Sequence, residues 1–278
     1  MLKQRIITAV ILLALLVPAL LARNALYFNV LTLVLMAAGA WEWGRMQGLI
    51  APWSVLFGVG IAALLWTLLA LGVDPSQFKL LLSWCVLLMW GPGLAWMLRK
   101  GLTQWSSLHL VLRLCLGWCA IAMAWLALVY AKSMGLNFLA SILALVWAAD
   151  IAAYFGGRAW GRSKLAPQIS PGKTWAGAWS GVVAACVVAV IWIWADTHFA
   201  AQDLSVYTQL WQRWHWGAAI GLVVLVSLSI AGDLVESMVK RVAGIKDSSG
   251  LLPGHGGVLD RIDALLPVLP AAVALAWW

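Results

Sequence analysis

The chain has 278 residues, of which 64% are apolar and only 10% are charged, and its mean hydropathy is +0.94. Soluble domains carry about 25% charged residues, so these few charged side chains could not cover a soluble protein of this size. The composition therefore excludes a soluble enzyme, a disordered chain, a coiled coil and a secreted disulfide scaffold. The apolar runs are also longer than the roughly ten-residue alternating strands of a β-barrel, which leaves an all-α polytopic membrane protein.

Nine apolar segments are long enough to be predicted as transmembrane helices, which need about 20 residues each. The first begins after Lys3 and Arg5, as a signal peptide would, but Arg23 and Asn24 interrupt its small-residue cleavage region, so we interpret it as an uncleaved helix. We divide the chain into N-terminal transmembrane helices at 1–135 and a C-terminal transmembrane region at 136–278, which we expect to be catalytic. The predicted spans are 6–22, 26–44, 51–72, 78–98, 108–131, 136–156, 175–195, 216–236 and 258–276.

The basic residues are distributed unequally between the two sides of this arrangement. With the N-terminus in the cytoplasm, 13 of the 18 Lys and Arg residues fall in inside segments, 4 in outside segments and 1 within a span. Cytoplasmic loops of membrane proteins are enriched in Lys and Arg. The sequence therefore predicts a cytoplasmic N-terminus and, after nine spans, a C-terminus outside.

Two inside segments, 150–174 and 233–263, concentrate the charge. Together they hold 8 of the 18 basic and 6 of the 10 acidic residues. Attraction to anionic lipid head groups explains a basic loop but does not explain the acidic residues. Ionisable groups in or beside spans are costly and indicate function. We therefore expect the two segments to form one site.

A polar stripe is predicted at the end of the eighth span. On a helix, Asp233, Glu236, Ser237, Lys240 and Arg241 would share one face. An ion pair between Glu236 and Lys240, one turn apart, is an equally good explanation for those two residues. That explanation leaves Asp233 without a basic partner on its own helix.

A glycine-rich turn at 247–257 leads into Asp260 at the start of the last predicted span. Glycines let a backbone approach a phosphate closely and expose its N–H groups. Asp233 and Asp260 would lie near the same ends of two antiparallel helices, and such a pair of carboxylates suits Mg²⁺ together with a polyphosphate substrate. His255 in this turn is either a structural hydrogen bonder or a general base or phosphate donor.

Two patterns in the second segment together resemble a known signature. S-x-x-K-R-x4-K-D begins at Ser237 and H-G-G-x-x-D-R-x-D begins at His255, as in the phosphatidate cytidylyltransferases. With the first segment, the resemblance covers about residues 145–265. The matching residues of that first segment are Asp150, Tyr154, Gly157, Arg158, Gly161, Arg162, Ser170, Pro171 and Lys173.

The resemblance implies that CTP and phosphatidic acid give CDP-diacylglycerol and pyrophosphate. It implies a Mg²⁺ requirement, with room for a second, monovalent cation such as K⁺, and a homodimer. The lipid phosphate is already anionic, so we expect direct in-line attack on the α-phosphorus, aided by metal and cations and without a covalent enzyme intermediate.

The motif match also implies residue roles. Asp233 and Asp260 are the expected metal ligands. The expected catalytic residues are Lys240, Arg241, Lys246, Asp247, His255, Arg261 and Asp263. The expected substrate-binding residues are Lys173, Ser170, Arg158, Arg162, Ser237, Gly256 and Gly257.

CTP, phosphatidic acid and the lipid bilayer are the expected partners, and no nucleic acid is expected. The expected location is a bacterial inner membrane with the site facing the cytoplasm. The alternatives to this function are a transporter, which would place its charges near the membrane midplane, and a CTP-using polyprenol kinase, which would release CDP. A lipid phosphatase would need a paired His and Arg arrangement that the sequence does not offer. A non-enzymatic membrane scaffold that has kept the fold is the remaining alternative.

Overall fold

The computed structural model describes residues 2–93 and 105–277. Within these ranges, seven helices are long and apolar enough to cross a membrane. They are Lys3–Leu21, Ala25–Met46, Ala51–Ala70, Leu110–Ser133, Leu136–Trp160, Trp175–His198 and Val206–Val242. The predicted class, an all-α multi-pass membrane protein, is confirmed. The number of spans and the side on which each terminus lies stay predictions.

A two-stranded hairpin separates the helices Leu136–Trp160 and Trp175–His198. The longer elements of the first half are α1 (Leu2–Leu21), α2 (Ala25–Met46), α3 (Ala51–Ala70), α4 (Lys79–Cys85) and α5 (Leu110–Ser133). Those of the second half are α6 (Leu136–Trp160), β1 (Lys164–Ala166), β2 (Ser170–Thr174), α7 (Trp175–His198), α8 (Val206–Trp214), α9 (Ala218–Val242), α10 (Leu259–Ile262) and α11 (Leu265–Trp277).

Two of the nine predicted spans differ from a single long α-helix. The span predicted at 78–98 consists of α4 and a π-helical segment, Val86–Gly93, and its last residues lie outside the described ranges. The span predicted at 258–276 is divided between α10 and the 13-residue α11. At this division, Asp263 Oδ1 accepts the Ala264 N–H at 2.7 Å, a local bond of the kind that competes with helical backbone bonding.

The hairpin carries two residues of the expected site. Strands β1 and β2 are antiparallel, with Lys164 opposite Thr174 and Ala166 opposite Ser170. Thr174 also caps α7, because its Oγ1 accepts the Gly177 N–H at 3.1 Å. Strand β2, which leads directly into α7, fixes Ser170 and Lys173 relative to that helix.

Helix α11, which follows α10, lies in the centre of the bundle. Helix α11 packs against α5 and α9, and its Val268, Leu269 and Val273 side chains are fully buried. Helices α6 and α7 approach closely at small residues: a β-carbon on Gly177 would lie 2.7 Å from the carbonyl oxygen of Ala153. Small residues permit this close approach in membrane helices. The end of α9 and the start of α10 are therefore held between well-packed neighbours.

Candidate active site

The polar stripe predicted on α9 is present. Ser237 Oγ donates to Asp233 Oδ1 at 3.0 Å, and Lys240 Nζ lies 2.6 Å from Glu236 Oε2. The ion pair within the helix, which was the alternative explanation for Glu236 and Lys240, therefore exists. Lys240 also has a second carboxylate partner, which lies outside α9.

Lys240 joins α9 to α10. Its Nζ lies 2.6 Å from Asp260 Oδ1 as well as from Glu236. All three side chains are largely buried, with 14% of Lys240, 3% of Glu236 and 7% of Asp260 exposed. One ammonium group thus balances two carboxylates in a place that water scarcely reaches, where removing a partner is costly.

Asp233 finds its cationic partner on the hairpin. Lys173 Nζ lies 2.7 Å from Asp233 Oδ2. Asp150 on α6 is within electrostatic reach of both residues, and Asp263 is within reach of Asp233. The two charge-rich segments, 150–174 and 233–263, therefore meet at one site, as the sequence predicted.

Asp260 is the centre of a dense set of hydrogen bonds. Its Oδ2 accepts the Gly257 N–H at 2.7 Å, the Ser248 N–H at 2.9 Å and the Ser248 hydroxyl at 3.0 Å. Asp260 lies outside the seven candidate spans. Burial alone raises its pKa, but the bonds from Lys240, Gly257 and Ser248 outweigh burial and leave the pKa below its ordinary value. The carboxylate is therefore ionised at neutral pH.

The two glycines expected to bind substrate make room for carboxylates. Gly256 has a φ of +85°, and a β-carbon there would lie 2.7 Å from Asp260 Oδ2. A β-carbon on Gly257 would collide with Ser248 Oγ and with Glu42 Oε1. The Gly257 N–H is bonded to Asp260, so in this structure it is not offered to a phosphate.

The glycine-rich turn is fastened from several sides. Arg261 Nε donates to the His255 carbonyl at 3.0 Å. From α1, Arg5 Nε donates to the Gly254 carbonyl at 3.0 Å, and Thr8 Oγ1 donates to the Pro253 carbonyl at 2.9 Å. In the structure, Arg261 therefore stabilises the turn through the His255 carbonyl. The His255 Nδ1 atom is buried and has no hydrogen-bond partner in the described part of the chain.

The remaining expected residues lie at the surface. Their side chains are exposed and make no ion pair with any residue in 2–93 or 105–277. They are Arg158, Arg162, Arg241, Lys246 and Asp247. Four of these five are cationic, and their positive charge would attract a ligand with several negative charges.

Asp233 and Asp260 could hold a divalent cation. They offer carboxylate oxygens, the ligands that Mg²⁺ prefers, and Mg²⁺ commonly uses one or two carboxylates with waters and substrate phosphates. Among the described residues, no three His, Cys, Asp or Glu side chains are grouped so as to hold a metal ion. Lys173 and Lys240 already place positive charge against these two carboxylates. A cation held by these carboxylates would have to share its coordination shell with the substrate.

Sequence reasoning missed Glu42 on α2. Its side chain is fully buried and accepts bonds from Ser248 Oγ at 3.1 Å, Ser249 Oγ at 2.5 Å, the Val258 N–H at 2.9 Å and the Leu259 N–H at 2.7 Å. An acidic residue in an apolar span was the available signal. Glu42 belongs to residues 1–135, to which sequence analysis assigned no part of the site; the division at 135 itself stays a prediction.

The chain matches the model of the cytidylyltransferase family over residues 3–278. It is similar to a phosphatidate cytidylyltransferase of Pseudomonas aeruginosa, 36% identical over 281 residues that cover 100% of this chain and 97% of that protein. A phosphatidate cytidylyltransferase of Haemophilus influenzae is 37% identical over 294 residues, covering 97% of this chain and 96% of the relative. Another from Brucella suis is 44% identical over 146 residues, 52% of this chain and 47% of the relative.

Proposed function

Because the chain belongs to the cytidylyltransferase family, we propose that the site between α9, β2 and α10 transfers the cytidylyl group of CTP to phosphatidic acid. The products are CDP-diacylglycerol and pyrophosphate. The enzyme is a multi-pass membrane nucleotidyltransferase of phospholipid synthesis. The observation that carries the assignment of the site is the ion pair between Lys173 of the first charge-rich segment and Asp233 of the second.

The chemistry that this site must perform is electrostatic. An oxygen of the lipid phosphate forms a bond to the α-phosphorus of CTP, and the bond from that phosphorus to the departing pyrophosphate breaks. Both reactants are anions, so their repulsion and the charge on the leaving group are the main obstacles. The exposed Arg158, Arg162, Arg241 and Lys246 would gather and orient the phosphates, while Lys173 and Lys240 hold the carboxylates of the centre.

Asp233 and Asp260 are the residues that would hold Mg²⁺. When bound, this cation supplies positive charge that offsets the negative charge building up on the phosphates. Ser237 and Ser248 orient the two carboxylates by hydrogen bonds, as supporting residues do around metal ligands. A second, monovalent cation such as K⁺ is part of the proposal through the resemblance, and replacing K⁺ by choline in the assay tests it: unchanged turnover would remove it.

The test of the function is turnover by the detergent-purified protein with phosphatidic acid, Mg²⁺ and CTP labelled in either the α- or the γ-phosphate. We expect α-label in CDP-diacylglycerol, γ-label in pyrophosphate, and loss of both products on chelation. Diacylglycerol, which lacks the attacking phosphate, is the matched control and should accept no label. Transfer of γ-label to a lipid with release of CDP would instead indicate a kinase. Bound CTP without turnover would favour the non-enzymatic scaffold.

Orientation and assembly are further parts of the proposal. The excess of Lys and Arg in the predicted inside segments, 13 of 18, supports a bacterial inner membrane location with the site facing the cytoplasm. A Lys246→Cys variant should react with a membrane-impermeant maleimide in inverted vesicles and stay unreactive in right-side-out ones; the opposite result would reverse the topology.

The homodimer, implied by the resemblance, should show twice the 30.1 kDa chain mass in light scattering, and a single chain mass would contradict it.

A further inference from the structure

We infer that Glu42 is a positioning residue of the active site, which holds the loop from Ser248 to Leu259 so that Asp260 meets Lys240. The inference rests on the proposed function, and it adds the second helix of the chain to the elements that shape the site. Glu42 touches none of the exposed cations, so its role would be to act through the loop.

The first step is the way in which Glu42 receives its donors. Two are main-chain N–H groups, of Val258 on Oε1 and of Leu259 on Oε2, at the point where the chain enters α10. The other two are the hydroxyls of Ser249 on Oε1 and Ser248 on Oε2. Backbone N–H groups at the start of a helix lack acceptors in their own helix. A side chain of α2 supplies them here, so the position of α10 depends on α2.

The second step is the short path from Glu42 to Asp260. Ser248 lies between them, with its Oγ 3.1 Å from Glu42 Oε2 and 3.0 Å from Asp260 Oδ2. The backbone is the other link: the Gly257 N–H donates to Asp260, and the N–H of the next residue, Val258, donates to Glu42. A displacement of the Glu42 carboxylate would therefore shift Asp260 either through Ser248 or through the backbone of Val258 and Gly257.

The third step is that the contact requires a carboxylate rather than an amide. Glutamine has the same shape, but only one of its two terminal atoms accepts a hydrogen bond. Because each Glu42 oxygen accepts one backbone N–H, either orientation of the amide would turn an NH₂ group toward the N–H of Val258 or of Leu259. Hydroxyls can rotate away from such a clash, but backbone N–H groups of a fixed turn cannot. Glu42→Gln should thus move the loop.

The chain offers a matched control at Asp196 on α7. This carboxylate is also buried, 5% exposed, and also has four donors: Asn137 Nδ2 at 2.7 Å, the Ser205 N–H at 3.0 Å, Ser205 Oγ at 2.5 Å and Thr208 Oγ1 at 2.6 Å. Its partners belong to α6 and the start of α8, and none is a residue of the expected site. Asp196→Asn therefore repeats the chemical change of Glu42→Gln away from the loop.

The experiment compares wild type, Glu42→Gln, Glu42→Asp and Asp196→Asn as full-length proteins in detergent. We expect Glu42→Gln to lower kcat about 10- to 100-fold, the range found for residues that orient metal ligands, with a smaller change in the KM for CTP. Glu42→Asp, which keeps the charge, should recover part of the loss. Hydrogen exchange of the 248–262 region should accelerate in Glu42→Gln and stay as in wild type in Asp196→Asn.

A double variant tests whether Glu42 acts through Ser248. If it does, adding Ser248→Ala to Glu42→Gln should lower kcat less than the product of the two single effects. Equal losses of kcat in Glu42→Gln and Asp196→Asn would show general destabilisation and overturn the inference, as would wild-type kcat in Glu42→Gln. Should Glu42→Gln not fold, Ser249→Ala takes its place: a several-fold lower kcat supports the inference and an unchanged kcat overturns it. Failure of the proposed function is distinct, since wild type itself would then form no CDP-diacylglycerol.

Discussion

Replacing Asp260 by Asn will lower cytidylyl transfer by about 10³-fold or more while the protein remains folded in detergent. The change removes the charge that faces Lys240 at 2.6 Å and one of the two carboxylates proposed to hold Mg²⁺. The amide oxygen can still accept the N–H groups of Gly257 and Ser248, which lie on Oδ2, so the loop keeps much of its anchoring. The measurement is product formation at saturating CTP, beside thermal unfolding of the same sample.

The matched control for this variant is Asp203→Asn. Asp203 has an exposed side chain in the loop before α8 and belongs to no part of the proposed site. The Asp203→Asn variant should retain wild-type turnover and wild-type stability. Near-normal turnover in Asp260→Asn would remove Asp260 from the metal site and with it the proposed placement of the cation.

Replacing Lys240 by Met will abolish turnover and will also destabilise the protein, which distinguishes it from the Asp260 variant. Methionine fills much of the same volume but leaves Glu236 and Asp260 buried beside each other without their shared cation. Removing one partner of a buried ion pair costs about 3–5 kcal/mol. The temperature of thermal unfolding should therefore fall markedly. In contrast, Lys3→Met at the exposed start of α1 should change neither turnover nor the unfolding temperature.

A second substitution separates the two effects of losing Lys240. Adding Glu236→Gln to Lys240→Met removes one of the two unpaired charges, so stability should return toward wild type. Turnover should stay absent, because no ammonium then faces Asp260. Recovery of turnover in the double variant would mean that Lys240 serves charge balance alone, and turnover in the single variant would exclude it from the site.

The sequence predicted most of the fold because a membrane-spanning helix is a local property. Length and apolarity suffice, without knowledge of any neighbour, and seven predicted spans correspond to long helices. One of the two that differ carries residues that disturb a helix locally. In 258–276, Asp263 bonds the N–H of the next residue, and Pro267 brings no N–H of its own.

The site was predictable to the extent that its contacts are local. Helical spacing anticipated both the Ser237 contact with Asp233 and the Glu236 pair with Lys240. The partner of Asp233 is Lys173, on a hairpin whose position depends on how α6, α7 and α9 pack. Glu42 and Ser248 are 206 residues apart in the chain, and no one-dimensional pattern states which helices become neighbours. The sequence also predicted that Gly257 binds substrate, whereas in the structure the Gly257 N–H donates to Asp260.

Ser248 has a single hydroxyl proton and two carboxylates competing for it, those of Glu42 and Asp260. A cation that engages Asp260 weakens that residue as an acceptor and leaves the proton to Glu42, so the loop is bound more firmly to α2. Such coupling is reciprocal by thermodynamic linkage: whatever tightens the loop on α2 must raise the affinity of the site for the cation to the same degree. Binding of the cation at Asp260 and attachment of the loop to α2 would then stabilise each other.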